Sequence, residues 1–351
     1  MYPDFIGIGA QKAGTTWLSH NLHLHPQIWV PPLKEIHYFN EKINEPANVV
    51  PRLSGKLFGR RVVDRRWRRQ IRTHATKHLR VLSKRGLKDF PKQDFFWDLR
   101  YYAGRPDNEW YASLFEPGAG CVTGEITPAY SLLEPNAIAR VYEIMPQAKI
   151  IFMMRNPIER AWSQAVMQFS KAENRDITTV AERKRRRNLK SGGSRLRTDY
   201  LRTLGHWGSF YPEEQIFVGF LEDIHFFPEE LLRRLYRFLG VDSSFKPPGV
   251  GQKIHSRSVG KMPANLATYL AGLYREEMVR LAERFGGYAD FWLYCAERLL
   301  NDPPAEDYVP YPLWETPWWG AWTSGSGETS AMNSREAEPQ SGPLSSIQPV
   351  T

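Results

Sequence analysis

Phe5-Ile6-Gly7-Ile8-Gly9-Ala10-Gln11-Lys12-Ala13-Gly14-Thr15-Thr16-Trp17-Leu18 reads as a strand, a glycine-bounded loop and the start of a helix. Phe5 to Gly9 is short, apolar and closed by glycine, the pattern of a buried strand. From Thr15 to Leu24 apolar side chains recur at helical intervals, and His25-Pro26 ends the run because the residue before proline disfavours helix. Between strand and helix, Gly9 and Gly14 let the backbone curl so that successive N–H groups point inward. The following helix adds its positive N-terminal end, which makes an anion site. A plain structural turn is the alternative, and Lys12 with the Thr15-Thr16 pair weighs against it.

The loop departs from that of nucleotide triphosphatases, G-x-x-x-x-G-K-[ST]. Both glycines match, but Thr15 stands at the lysine position and the loop's lysine is Lys12. No clear acidic residue at a strand end suggests a magnesium partner. The loop is therefore adapted to phosphate without triphosphate–magnesium chemistry.

Working outward, Lys149 to Met154 is a second strand, followed by Arg155-Asn156-Pro157 and a helix with proline in its first turn. Gln215 to Phe220 is a third strand candidate, Pro228 to Leu239 an amphipathic helix stopped by Gly240, and Pro263 to about Phe285 a last helix. Strands alternating with helices predict an α/β fold with a central, mainly parallel sheet flanked by helices. Residues 1–318 read as one domain carrying a basic insertion at about 52–105, and the Ser/Gly/Glu/Pro-rich stretch 319–351 as a disordered tail.

The net charge of +9 is concentrated: Arg52 to Arg105 holds seventeen Lys/Arg against four Asp/Glu. Such clustering favours an anionic partner, although a solvated helical face has the same composition. Two cysteines, Cys121 and Cys295, allow one bridge but no disulfide framework or metal-ligand spacing. With no signal peptide and no apolar run of membrane-spanning length, the expectation is a soluble, cytoplasmic protein, with peripheral membrane contact left open.

Two separated motifs resemble those of sulfotransferases that use 3′-phosphoadenosine 5′-phosphosulfate (PAPS), particularly the carbohydrate, heparan-sulfate-like and bacterial enzymes. Gln11-Lys12-Ala13-Gly14-Thr15-Thr16-Trp17-Leu18 is similar to the family's 5′-phosphosulfate loop. Arg155-Asn156-Pro157 with Arg160 and Ser163 is similar to its 3′-phosphate motif, R-x-P-x-x-R-x-x-S. The resemblance covers about Asp4 to Trp292 and implies the P-loop-like sulfotransferase fold, PAPS as co-substrate, 3′-phosphoadenosine 5′-phosphate as product, and no metal. Independently of the family, an arginine at a strand end and a serine on the next helix can converge on one phosphate.

On the acceptor side, Lys34-Glu35-Ile36-His37-Tyr38-Phe39 resembles a K-E-x-H-F-F stretch whose glutamate is the general base, which makes Glu35 the first candidate and His37 the second. Lys34, Glu125, Thr127 and Tyr130 are candidates for the substrate cleft. In Gly124-Glu125-Ile126-Thr127-Pro128, Ile126 stands where heparan sulfate 3-O-type enzymes have lysine. Arg257, Ser258 and Lys261 fall where family members place a basic loop over the nucleotide. The aromatic residues Trp97, Trp110, Tyr111, Trp207 and Trp318-Trp319 suit sugar rings, lipid or a core equally.

The implied reaction is in-line sulfuryl transfer to a hydroxyl or amine of a glycan or glycolipid, with no specific nucleic acid partner. The alternatives are a divergent P-loop nucleotide kinase, which binds ATP with magnesium, and a non-catalytic binder of anionic partners on the same fold.

Overall fold

In the computed structural model, which describes residues 1–40, 92–104, 106–172, 177–251 and 261–325, strand β1 (Phe5–Gly9) lies at the centre of a five-stranded sheet. With β2 (Ile28–Trp29), β3 (Val122–Ile126), β4 (Lys149–Met154) and β5 (Ile216–Phe220), the order is β2-β3-β1-β4-β5. Every pairing is parallel, with Phe5 opposite both Gly124 and Lys149, and Ile150 opposite Ile216. All carboxyl ends therefore meet on one edge of the sheet. The chain builds β2 and β3 on one side of β1 and then crosses to β4 on the other, so the strand order reverses beside β1. Open α/β sheets bind ligands at that place.

The strands are apolar because both faces are covered: all five residues of β1 are buried, as are Ile150 to Met154. Within β3, Gly124 is set by packing, since a Cβ there would lie 2.3 Å from the Phe5 ring.

The expected helices form where the pattern placed them: α1 (Thr15–Leu24), α3 (Pro157–Ala172, opening on its proline) and α4 (Pro228–Leu239). Gly240 ends α4 with φ 80°, a left-handed conformation that glycine adopts without a Cβ penalty. Between α1 and α3 lies α2 (Lys92–Ala103), the end of the basic insertion; residues 41–91 lie outside the described residues. After α4 come α5 (Ala264–Phe285) and α6 (Tyr288–Asn301), packed on each other. The aromatic richness is mostly core: Trp97, Trp110, Tyr111 and Trp207 are buried, while Trp318 and Trp319 are partly so. Cys121 and Cys295 are both free thiols, the latter buried.

The C-terminal end departs from what its composition predicts. The segment expected to be disordered from 319 onward is helical through Gly325 in α7 (Pro317–Gly325). Its polar composition hides an aromatic stripe: Trp319 packs on Phe226 and Phe291, and Trp322, 8% exposed, packs on Phe291. Residues 326–351 lie outside the described residues. A short antiparallel hairpin, β6 (Lys261–Pro263) with β7 (Tyr308–Pro310), leads into this segment. The chain after β7 crosses to the first turn of α3, where the Leu313 N–H donates to Glu159 Oε1 at 2.6 Å. Among the described residues no helix is long and apolar enough to cross a membrane.

Candidate active site

At the carboxyl end of β1 the loop to α1 turns through three left-handed or near-left-handed residues, Gly9 (φ 154°), Lys12 (φ 76°) and Gly14 (φ 82°). The loop is tied down by Ala10 N–H to Met153 O at 2.7 Å and Ala13 N–H to Ala10 O at 3.2 Å. Gly14 is the N-cap of α1, which has no side-chain cap and no acidic residue in its first turn. The first N–H groups of a helix lack intrahelical acceptors, so this end of α1 favours an anion.

Lys34, expected in the acceptor cleft, reaches instead to this loop. Its Nζ donates to Thr15 Oγ1 at 3.3 Å and Thr16 Oγ1 at 3.1 Å, and it lies 3.8 Å from Glu35. Burial pulls the Lys34 ammonium below the usual lysine value, with Glu35 opposing. The loop and the Lys34-Glu35 segment thus share one cluster of charge.

Glu35 Oε2 lies 3.3 Å from His37 Nε2, and His37 Nδ1 is 3.1 Å from Asn40 Oδ1. The His37 ring is buried, at 6% exposure, against 34% for the Glu35 side chain. Among the described residues, the non-glycine residues with positive φ are Lys12, Glu35 (φ 69°) and His37 (φ 63°). Left-handed backbone costs an L-residue about 1–2 kcal/mol, and such positions gather at functional sites.

Beside them, Glu125 at the end of β3 is 2% exposed and receives three hydroxyls: Tyr111 at 2.7 Å, Thr127 at 2.6 Å and Tyr130 at 3.0 Å. Burial raises its carboxyl above the ordinary value, and the three hydroxyl donors and the nearby His37 oppose that rise. Thr127 and Tyr130 are themselves buried. These three candidate cleft residues form a closed network next to His37.

At the carboxyl end of β4, the neighbour of β1, Arg155 is buried and its guanidinium is held on several sides. Nε and Nη2 donate to Glu159 Oε2 at 3.1 and 2.8 Å, and Nη1 donates to the Lys12 carbonyl at 3.1 Å. Nη2 also donates to the Tyr311 hydroxyl at 2.5 Å, with the Tyr311 ring centroid 5.2 Å from Cζ. Ser163, one turn beyond Glu159 on α3, lies beside the same hydroxyl and opposes the rise that burial imposes on the Tyr311 phenol. The expected pair of donors is therefore gathered around one side chain, with Arg155 bonded to it. Arg160 plays a different part: it is fully buried, fastens α3 to Thr198 and Ser194, and donates within α3 to Gln164.

Of the remaining sequence candidates, Gln11 is half-buried in the loop, and Ala13 is fully buried beneath it. Trp17 is turned inward, its indole N–H donating to Val250 O at 3.0 Å. Lys261 is exposed on β6 opposite Pro310, one residue from Tyr311. Arg257 and Ser258 lie outside the described residues. Sequence reasoning missed Glu159 and Tyr311. Glu159 sits inside the Arg155 motif at i+4, a spacing that marks an ion pair on a helix. No local signal marks Tyr311, which lies 156 residues from Arg155 along the chain.

A model of the sulfotransferase family matches residues 3–246. A membrane-associated sulfotransferase of Dictyostelium discoideum is 28% identical over 166 residues, 46% of this chain and 22% of that protein. A bifunctional heparan sulfate N-deacetylase/N-sulfotransferase of Caenorhabditis elegans is 26% identical over 248 residues, 68% of this chain and 22% of that protein. The chain thus spans about a fifth of the length of these two relatives. Among solved structures, a sulfotransferase from Alicyclobacillus acidocaldarius superposes with a TM-score of 0.52 at 24% identity, covering 81% of this chain and 95% of its own.

Proposed function

The chain belongs to the sulfotransferase family, and from that premise we propose that it moves a sulfuryl group from PAPS to a hydroxyl or amine of an acceptor. One observation carries this reading. Arg155, with Ser163 beside it at the Tyr311 hydroxyl, also holds the carbonyl of Lys12 in the phosphate loop. Two anion-binding corners on neighbouring strands are thereby joined, as a nucleotide with a phosphate at each end of its ribose requires. PAPS is such a nucleotide.

In this reading the loop N–H groups, Lys12 and the Thr15-Thr16 pair hold the 5′-phosphosulfate, with Lys34 reinforcing the threonines. Charge building on the phosphate oxygen as the S–O bond breaks is met by preorganised donors that need not reorient. Arg155 and Ser163 fix the 3′ end, so that the sulfur faces the acceptor in line. Glu35 takes the acceptor's proton as the new bond to sulfur forms, and His37 at 3.3 Å orients that carboxylate. Glu125, with its oxygens engaged by hydroxyls, positions Tyr111, Thr127 and Tyr130. The acceptor class proposed is a carbohydrate or glycolipid, supported by the identity to the heparan sulfate relative.

The test is a thermal-shift titration. A ligand that binds only the folded state raises its melting temperature. We expect 3′-phosphoadenosine 5′-phosphate to raise it and ATP with magnesium to leave it unchanged, and Lys12→Ala to slow transfer about 10²–10³-fold. A shift with ATP–magnesium alone would point to a kinase, and full transfer by Lys12→Ala would remove that lysine from the reaction.

A further inference from the structure

The 3′-phosphate corner already contains an oxygen. The Tyr311 hydroxyl accepts from Arg155 Nη2, with Ser163 beside it, and these are the two groups that the proposed function assigns to a phosphate oxygen. Glu159, bonded by Nε and again by Nη2, and the Lys12 carbonyl, bonded by Nη1, hold the guanidinium in place. The tyrosine oxygen thus stands on the arginine where an anion's oxygen would be received.

Tyr311 is brought there by the segment after β7. That segment lies beyond the residues matched by the family model, which end at 246. Its backbone is anchored beside the site by Leu313 N–H on Glu159 and by the fully buried Leu313 side chain. Trp314 stacks on His225 at 5.2 Å between ring centroids. The Tyr311 side chain is only half-buried, and Lys261 stands one residue away across the hairpin. A firm backbone with a less enclosed side chain lets the ring swing without unfolding the segment.

We propose that Tyr311 is an internal competitor for the 3′-phosphate seat: its hydroxyl occupies the donor edge of Arg155, and the nucleotide's 3′-phosphate must displace it. This rests on the PAPS reading of the site. The exchange is favourable because a phosphate oxygen carries charge and the phenol does not, so its bond to the guanidinium gains a Coulombic attraction and a two-pronged geometry that the phenol lacks. The occupant lowers affinity by the free energy of its own contacts. It also discriminates: a nucleotide lacking the 3′-phosphate has nothing with which to evict the tyrosine.

Calorimetric titration of the wild-type chain and Tyr311→Phe with 3′-phosphoadenosine 5′-phosphate and with adenosine 5′-phosphate tests this. Phenylalanine keeps the ring over Arg155 and removes only the competing oxygen. The bisphosphate Kd should fall about three- to tenfold in the variant, the worth of one hydrogen bond, with the monophosphate Kd unchanged. A bisphosphate Kd that is unchanged or higher overturns the proposal, a higher one meaning that Tyr311 is a ligand of the phosphate. Equal tightening for both nucleotides overturns it too, since the gain would then come from a wider cleft. Wild-type protein that binds no bisphosphate sinks the PAPS reading along with it, whereas binding without a gain in the variant sinks this proposal alone. A crystal structure of the wild-type complex gives a second measure: the Tyr311 hydroxyl should lie beyond hydrogen-bonding distance of Arg155, and one still bonded to it refutes displacement.

Discussion

Lys12, Glu35 and His37 share a backbone conformation that their side chains disfavour, with φ values of 76°, 69° and 63°. Each carries a charged or titratable group that the proposed reaction uses, and Glu35 and His37 meet at 3.3 Å. Glu35→Gln should lower kcat about 10²–10⁴-fold, the usual worth of a positioned general base. Bisphosphate affinity, measured by calorimetry, should stay within about twofold. Near-normal turnover in that variant would hand the base role to His37. These three residues were legible in the sequence because the chain places them in short local motifs. Lys34 was legible as a member of its motif, but its direction was not: whether it faces acceptor or donor depends on how the loop after β2 lies against α1. Tyr311 was illegible because its partner is far away in sequence, and no periodicity links the two.

The β1–α1 corner is the element on which the site depends. Gly14 there has φ 82°, and a Cβ would lie 2.3 Å from Ile224 Cδ1 and 3.1 Å from Leu221 Cδ1. Gly14→Ala should cost about 2–4 kcal/mol, a left-handed penalty added to overpacking, read as a lower urea midpoint. It should weaken bisphosphate binding in parallel, because the α1 N-terminus moves. The boundaries of α1, β4, α4 and the end of α5 could be read directly from glycine, proline and apolar spacing. The strand β3 could not: Val122-Thr-Gly-Glu-Ile contains two poor strand formers. Gly124 is there for the Phe5 ring, and Glu125 for three hydroxyls from other parts of the chain. Propensity lost to tertiary packing at both positions.

Across the whole molecule, the C-terminal helices close over a buried acid that no motif announces. Glu222 is fully buried, accepts from the Trp292 indole at 2.6 Å and shares its surroundings with Glu159. Burial, reinforced by Glu159, pushes its carboxyl up from 4.5 to about 8. Between those values the native chain holds a proton that the unfolded chain has lost, so stability falls as pH rises from 4.5 to about 8 and levels off above. Glu222→Gln, which imitates the protonated acid, should make this decline shallower, leaving the share of other acids that burial raises, such as Glu125. Melting temperatures at pH 5 and pH 8.5 measure it, and equal slopes for both proteins would exclude Glu222 as its source. The fold class was legible at this scale, since alternating strands and helices dictate a parallel sheet. The closure by α6 and α7 was not, because composition after Trp319 reads as polar while two tryptophans do the packing.

The hydrogen bond from Arg155 to the Lys12 carbonyl has a consequence for selectivity. A pull on the guanidinium is transmitted to the loop, and rearrangement of the loop is felt by the guanidinium. By reciprocity, whatever one anchor gains from the other's occupancy is returned in equal measure. Under the proposed function, a nucleotide that fills only one anchor forfeits more than its missing contacts, and the donor is gauged by both charges at once.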